Sequence, residues 1–383
     1  MVLTVFAIAR LILSAAVFLA ALLNFAPPPN NALWKLSVIV LEGGYFVVIP
    51  CLLLALIPGG GLAGKIAAAL FLFSAVLYAT PLLRGIKTAS RLEHDFASGF
   101  GKNLLPQAFH RLQPVSFKDL LFGYPYPRIE PRTAAYAKRD SGELLLDFYP
   151  APRKNAPCII VLHGGGWDSG DRKELAQANA VFASLGYAVA AIDYSLAPRH
   201  PYPAAVVDVK DALDFLRAHA GEFGIDPSRF VLLGRSAGGQ IALQAAYTLK
   251  DTTVRGVISY YAPADMVWSY SIPTNPRIMN SRKLLEQYLE GGYPQKPENY
   301  RASSPLESVE ASSPPALFLQ GGADVIVSPL HVVHLEEKME KIGTRYFTVN
   351  LPWATHAFDF VQAGPGSQIS LYFVERFLAE VTR

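Results

Sequence analysis

Charged residues are distributed very unevenly along this chain of 383 residues, which limits how it can fold. The chain contains 34 Lys or Arg and 31 Asp or Glu residues, yet only five of these lie among the first 84 positions. The five are Arg10, Lys35, Glu42, Lys65 and Arg84. Soluble domains carry about one charged residue in four. The chain therefore divides into an apolar N-terminal region and a globular remainder.

Three apolar stretches fill the N-terminal region, at about residues 2–25, 36–57 and 66–83. Each reaches the ~18 to 25 residues that a helix needs to cross a bilayer, and proline- and glycine-rich segments separate them. We therefore predict a transmembrane region of three helices within residues 1–85. A secretory signal peptide is the alternative for the first stretch, but it has no basic segment in front of its apolar run.

Two charges lie inside these stretches, and others follow them. Arg10 and Glu42 are costly within a bilayer, so they could pair with each other or extend towards an interface. Basic residues beside the ends of transmembrane helices favour the cytoplasmic side. Arg84, Lys87 and Arg91 follow the third stretch. We therefore expect an integral membrane protein with its C-terminal domain in the cytoplasm.

Short apolar strands alternate with helical patterns from residue 134 onward. This alternation predicts an α/β domain in which helices cover both faces of a mostly parallel sheet. Residues 86–133 are irregular and aromatic, and we predict a linker, lid or collar there. The predicted strands are residues 144–149, 158–162, 187–192, 230–233, 254–260, 316–319 and 346–351.

Net charge and cysteine content exclude some classes of function. The formal net charge is +3 and no basic tract occurs, so we expect no nucleic-acid partner. Cys51 and Cys158 both lie in apolar runs, and neither is typical of a disulfide. No Cys/His cluster is typical of a metal site, so we expect neither a metal nor an organic cofactor.

Two glycine-rich segments carry the chemistry. Residues 234–238 read G-R-S-A-G, directly between the predicted strand 230–233 and a helical run at 240–249. A nucleophile on a tight strand-to-helix turn needs glycine neighbours, and the following helix can stabilise an oxyanion. A serine that caps a helix in such a turn is the alternative. Residues 163–167 read H-G-G-G-W after the strand 158–162, and such a loop can present bare N–H groups.

These segments resemble the hormone-sensitive-lipase-like carboxylesterases of the α/β-hydrolase fold. The loops of that family read HGGGW-x-x-GD, DYRLAP, FPAA and GDSAGG. The resemblance covers about residues 134–383 and implies an α/β-hydrolase fold with serine hydrolase activity. The corresponding segments here are residues 163–171, 193–198, 202–205 and 234–239.

The resemblance also implies a catalytic triad, because the family order is Ser, then Asp, then His. Ser236 is the implied nucleophile, Asp324 in G-G-A-D the acid, and His356 in T-H-A-F the base. His331 and His334 lie on the helix that follows Asp324, which should place them on an outer face. In triad chemistry the serine attacks the ester carbonyl, the histidine moves the proton and the aspartate orients the histidine.

The oxyanion should accept hydrogen bonds from the backbone N–H groups of Ala237, Gly165 and Gly166, in preference to Gly164. His163 is expected to shape the glycine loop rather than to react. Donors of this kind typically contribute about 3 kcal/mol each to the transition state.

The chain departs from the family in two places near the site. Arg235 stands where the family often has an acidic residue, and it could pair with a nearby carboxylate or contact an anionic group in the pocket. The acidic position soon after the triad aspartate is also absent. Residues 266–305 are aromatic and fall between two predicted strands, so they could form a cap over the pocket or an ordinary packed excursion.

We therefore predict a membrane-anchored serine carboxylesterase or lipase, for which acyl lipids and membrane-partitioned esters are plausible substrates. A methylesterase acting on prenylated proteins would also fit. The alternatives are a non-catalytic receptor on a hydrolase scaffold, a transport module formed by the three helices, and a serine peptidase. The oligomeric state is left open.

Overall fold

The computed structural model describes residues 2–59, 61–100 and 110–383. Its centre is an eight-stranded sheet with the strand order β1-β2-β4-β3-β5-β6-β7-β8. Its strands are β1 (Arg132–Arg139), β2 (Gly142–Tyr149), β3 (Ala156–Leu162), β4 (Ala188–Ile192), β5 (Ile225–Arg235), β6 (Val254–Tyr260), β7 (Ala316–Gly321) and β8 (Tyr346–Leu351).

The sheet is parallel from β4 to β8, while β2 runs antiparallel to both β1 and β4. Every residue of β4 is buried, because helices cover both faces of the sheet. The predicted α/β architecture is therefore confirmed. Strand β1 was not among the predicted strands. Most of its side chains are small or charged and only Tyr136 is buried, so its sequence has little apolar character.

Two apolar cores lie on opposite faces of the sheet. Helices α7 (Ala204–Ala218), α9 (Ala237–Thr248) and α14 (Leu330–Ile342) pack into one core. Helices α6 (Ala176–Ser184) and α15 (Pro365–Val381) pack into the other. Between β6 and β7 the chain forms four short helices, α10 (Met266–Ser271), α11 (Ser281–Tyr288), α12 (Pro297–Ala302) and α13 (Pro305–Ser308). Two further short helices are α5 (Phe117–Phe122) and α8 (Ala220–Phe223).

The N-terminal region forms α1 (Val2–Ala21), α2 (Asn31–Gly43), α3 (Tyr45–Leu56) and α4 (Gly61–Ser98). The single helix predicted over residues 36–57 is wrong, because α2 and α3 meet at an angle of 82°. A Cβ atom on Gly44 would lie 2.3 Å from the Val40 oxygen and 2.7 Å from Tyr78 Cδ1, so this tight bend requires glycine.

Helix α4 is longer than predicted. It continues without a break from Gly61 to Ser98, so the first part of the predicted irregular linker 86–133 is helical. Ala89, Leu92 and Phe96 recur at helical spacing and are buried in the same core as α15, which stabilises the extension. Residues 101–109, in the middle of the predicted linker, lie outside the described residues.

Arg10 and Glu42 do not pair, which corrects one of the two sequence interpretations. The Arg10 guanidinium donates to the Leu54 oxygen at 2.8 Å and thereby caps the C-terminal end of α3. The Glu42 carboxylate accepts from Trp353 Nε1 at 3.1 Å and from the Gly366 N–H at 2.7 Å. Each side chain therefore has its own partners, and those of Glu42 belong to the α/β domain.

Two helical stretches, Val5–Asn24 and Gly61–Ser98, are long and apolar enough to cross a membrane. A third appears only if the bent pair α2–α3 is counted as one span. This result concerns length and composition within the described part of the chain.

Candidate active site

Ser236 lies at the junction of β5 and α9 in a strained backbone conformation, with φ 52° and ψ −118°. The flanking glycines are required by space. A Cβ atom on Gly234 would lie 2.1 Å from the Gly238 oxygen, and one on Gly238 would lie 2.2 Å from the His163 oxygen. The G-x-S-x-G spacing thus allows the turn that lifts the serine out of the sheet.

The three residues of the predicted triad lie together at the carboxyl edge of the sheet. His356 Nε2 is 3.0 Å from Ser236 Oγ, and His356 Nδ1 is 2.7 Å from Asp324 Oδ2. Asp324 follows β7 and His356 follows β8, so neighbouring parallel strands deliver both side chains to one place. Both are buried. Hydrogen bonds therefore link the carboxylate, the imidazole and the hydroxyl in one line.

Backbone groups support Asp324 in place of the acidic side chain that the family has nearby. Its Oδ1 accepts the N–H groups of Ile326 at 2.8 Å and Val327 at 2.9 Å. Charge-assisted hydrogen bonds of this kind hold a carboxylate in one orientation. The missing acidic position is therefore compensated by the turn that follows Asp324.

The glycine loop after β3 presents free N–H groups to Ser236. Gly165 and Gly166 have φ values of 111° and 61°, which favour glycine. Within the described residues the N–H groups of Gly165, Gly166 and Ala237 have no hydrogen-bond acceptor. The Gly164 N–H donates to Glu174 Oε1 at 2.9 Å. The first three groups can therefore receive an oxyanion, and Gly164 cannot without losing its partner.

His163 supports this loop from below. Its Nδ1 lies 2.7 Å from the Gly164 oxygen, and its ring stacks on Tyr194 with centroids 4.1 Å apart. The Tyr194 hydroxyl donates to the His163 oxygen at 3.0 Å. Burial lowers the pKa of His163 below its ordinary value. These contacts agree with the structural role predicted for His163.

Arg235 pairs with a carboxylate of the protein. Its Nε donates to Asp359 Oδ2 at 2.6 Å, and the Tyr261 hydroxyl donates to Asp359 Oδ1 at 2.5 Å. The Tyr261 ring lies 4.4 Å from the ring of His356. Of the two interpretations of Arg235, the structure therefore supports the internal ion pair. Asp359 lies 124 residues from Arg235 in the sequence, and Tyr261 is part of no recognised motif. The sequence therefore could not identify either of them as a partner in this network.

His331 is buried, so the outer position expected for it is wrong. Its Nδ1 accepts weakly from the N–H groups of Ala264 and Asp265, and its Nε2 lies 3.1 Å from Ser269 Oγ. The segment after β6 covers this face of α14, which the sequence pattern did not indicate. Burial, with a further contribution from His334, lowers the pKa of His331 to about 3, so the ring is neutral near pH 7.

Two further parts of the chain form walls around Ser236. The segment 266–305 contributes Ile272 and Leu284, as a cap would. Helix α2 contributes Asn31 and Trp34. No motif in the sequence pointed to these α2 residues, because they lie in the apolar region that the family resemblance leaves out.

The part of the chain that the structure describes contains no group of three His, Cys, Asp or Glu side chains arranged to hold a metal ion. Cys51 and Cys158 are buried free thiols.

A protein-family model described as BD-FAE matches residues 146–339, just over half of the chain. The chain belongs to the BD-FAE family. The match starts in β2 and includes the serine elbow, the glycine loop and Asp324. The helices of the N-terminal region lie outside it.

Several curated relatives of this BD-FAE chain are esterases. It is 28% identical to esterase LipC of Mycobacterium tuberculosis over 303 residues, which cover 70% of the chain and 73% of LipC. It is 39% identical to carboxylesterase NlhH of the same organism over 130 residues, which cover 33% of the chain and 40% of NlhH. The NlhH match therefore spans less than half of either protein.

Solved structures resemble the α/β domain. A thermophilic esterase of Thermogutta terrifontis is 25% identical, with a TM-score of 0.54 over 66% of this chain and 92% of that one. A bacterial heroin esterase, at 22% identity and a TM-score of 0.59, covers 69% of this chain and 88% of its own. The latter supports the fold alone. Together the comparisons identify this BD-FAE chain as a carboxylic ester hydrolase, a serine hydrolase of the α/β-hydrolase type.

Proposed function

We propose that the protein is a membrane-anchored serine carboxylesterase that uses Ser236, His356 and Asp324 as its catalytic triad. The observation that carries this proposal is the unbroken hydrogen-bonded line from Asp324 through His356 to Ser236. The line ends beside backbone N–H groups that have no acceptor among the described residues.

The reaction follows from this geometry. Ser236 Oγ attacks the ester carbonyl while His356 Nε2 takes its proton, and Asp324 stabilises the imidazolium that results. His356 then gives the proton to the leaving alcohol, and an acyl group remains on Ser236. Water, activated by the same histidine, attacks the acyl-enzyme and releases the carboxylic acid.

The negative charge that develops on the carbonyl oxygen is stabilised by the N–H groups of Ala237, Gly165 and Gly166. Ala237 is the first residue of α9, so the helix dipole also favours negative charge there. Losing one such donor would cost about 3 kcal/mol of transition-state stabilisation.

Membrane anchoring is supported by the exposed apolar surface of the N-terminal helices. Ile12 of α1, Leu56 of α3, and Phe73 and Val76 of α4 are each more than 60% exposed. Contiguous apolar surface on this scale favours lipid over water. We propose that α1 and the first half of α4 cross the bilayer. Helix α3, at 12 residues and about 18 Å, is too short to cross alone.

The catalytic domain is proposed to face the cytoplasm, from the basic residues that follow the apolar part of α4. A cysteine introduced at Arg383 would test this in intact cells. Labelling by a membrane-impermeant maleimide only after permeabilisation would support the cytoplasmic side. Labelling of intact cells would contradict it.

Hydrolysis of p-nitrophenyl esters from acetyl to palmitoyl in detergent tests the catalytic proposal. We expect wild type to be active, Ser236→Ala to be inactive, and the matched control Ser141→Ala, at an exposed turn, to retain full activity. A fluorophosphonate should label wild type and the control but not Ser236→Ala. A folded wild type without turnover or labelling would instead favour the alternative, a non-catalytic receptor.

A further inference from the structure

Two separate spaces adjoin Ser236. The first, the acyl cavity, has a volume of about 50 Å³ and includes Ala237, Ile272 and Leu285 in its walls. The second, the leaving-group groove, has a volume of about 360 Å³ and includes Trp34 and His356. Both spaces also touch Ser236, so an ester bound at the serine can place one side in each.

The position of His356 decides which side is which. The general acid must lie within hydrogen-bond reach of the leaving oxygen. His356 lines the groove and is not part of the cavity wall. The alcohol therefore occupies the groove and the acyl chain occupies the cavity.

We infer that the preferred substrate combines a short acyl group with a bulky, largely apolar alcohol, and that Trp34 and Asn31 of α2 determine specificity for that alcohol. This inference rests on the proposed esterase function. A space of 10–15 Å³ holds one water-sized group, so the cavity holds roughly three to five non-hydrogen atoms, which corresponds to acetyl to butyryl. The groove is several times larger. Its lining includes the apolar side chains of Trp34, Ile278 and Phe360, together with the charged residues Asp168, Glu174 and Arg235.

Helix α2 is held firmly enough to act as a wall. At its start, the Asn31 N–H and Nδ2 donate to the oxygens of Arg277 and Ile278, both at 3.0 Å. At its end, Glu42 accepts two hydrogen bonds from the α/β domain. The wall is thus attached both to the segment over the pocket and to the region around the His356 loop.

Exposed apolar side chains lie on two of the segments that line the groove. Phe360, at its edge, is 50% exposed, and Ile39, on the outer side of α2, is 60% exposed. An alcohol with an apolar chain could therefore keep that chain in lipid while its ester group reaches Ser236. Such an alcohol is the kind of molecule that partitions into a membrane.

Two ester series in one detergent test the inference. With p-nitrophenol constant, kcat/KM should fall about tenfold or more from butyrate to octanoate, since a hydrophobic pocket discriminates by this much for small changes in size. With acetate constant, dodecyl acetate should exceed ethyl acetate. Palmitate as the best acyl group, with dodecyl acetate no better than ethyl acetate, would overturn the inference while leaving the esterase function intact.

Variants assign the two spaces separately. Trp34→Ala should raise KM for dodecyl acetate about tenfold more than KM for ethyl acetate, whereas Ile272→Ala should improve octanoate relative to acetate by about tenfold. Lys35→Ala, an exposed neighbour on α2, should change neither series. Fluorophosphonate titration counts folded active sites, and Trp34→Phe serves if the alanine variant does not fold. If Trp34→Ala changes acyl preference instead, the assignment is wrong; if wild type hydrolyses no ester, the proposed function fails and the inference with it.

Discussion

Arg235 connects the serine elbow to the loop that carries His356. Its side chain is 3% exposed and that of Asp359 is 7% exposed, so both charges are removed from water. Tyr261 shares the same carboxylate and packs on His356. The residue before Ser236 thus contacts His356 indirectly, through Asp359 and Tyr261.

Replacing Asp359 with asparagine should be strongly destabilising, because Arg235 would remain buried without a counter-charge. Removing one member of a buried ion pair typically costs about 3–5 kcal/mol. Urea unfolding in detergent micelles, followed by tryptophan fluorescence, measures this loss. The double variant Arg235→Met/Asp359→Asn should lose less than the sum of the two single variants. Simple additivity would contradict the proposed coupling.

His331 predicts an acid-sensitive stability. Its pKa is about 3 in the folded protein against an ordinary value near 6.5, so the unfolded chain binds a proton first as pH falls. Its contribution is therefore fully present above pH 6.5 and is lost as pH falls from 6.5 towards 3, by up to about 1.4 kcal/mol per pH unit. His331→Gln should flatten this slope in unfolding measurements between pH 4.5 and 6.5. His94→Gln, at an exposed position, is the control and should keep the wild-type slope.

At the residue scale, the sequence was most informative where chemistry requires particular neighbours. Ser236, Asp324 and His356 were named from motifs, and the structure brings them together. The partners Asp359 and Tyr261 could not be named, because a buried ion pair over 124 residues leaves no periodic signal.

Helix α2 belongs to the apolar region by sequence but to the α/β domain by its contacts. The Glu42 carboxyl group accepts hydrogen bonds from Trp353 Nε1 and from the Gly366 N–H, which lie on either side of His356 in the sequence. This is why an ionisable side chain is tolerated in so apolar a segment. Hydropathy predicted the existence of the N-terminal helices, but not the bend at Gly44, which depends on a contact with Tyr78 in α4.

Glu42→Ala should loosen this attachment, because two buried donors would lose their acceptor, at about 1–3 kcal/mol each. Glu42→Gln retains one acceptor oxygen and should lose less. Unfolding in detergent measures the stability, and kcat/KM for dodecyl acetate shows whether helix α2 still forms the wall of the groove. Glu337→Ala, on the exposed face of α14, is the matched control. Equal behaviour of all three variants would show that the attachment is unimportant.

At the scale of the whole molecule, the N-terminal region and the α/β domain share an apolar core. Ala89, Leu92 and Phe96 of α4 pack with α15, and the rings of Phe96 and Phe347 meet edge to face at 4.9 Å. The sequence predicted a boundary at residue 85, since charge density rises there. The composition of the chain changes at that position, but the hydrophobic core continues across it.

A chain beginning at residue 110 should therefore aggregate, since it would expose the surface that α4 covers. A chain beginning at residue 85 would keep the buried half of α4 and lose only the apolar bundle and α2. We expect it to be more soluble but poorly active on dodecyl acetate. Size-exclusion chromatography and fluorophosphonate labelling distinguish the two chains. A monodisperse, fully active product from residue 110 would contradict the shared core.

The unbroken helix from Gly61 to Ser98 also sets the reach of the enzyme. A domain on a flexible tether samples a wide volume, but one fixed to a continuous helix stays at a single height above the bilayer. In the proposed arrangement its substrates arrive by lateral diffusion within the membrane plane. Turnover should then follow the mole fraction of ester among the lipids, and dilution of the vesicles in buffer should leave the rate per enzyme unchanged.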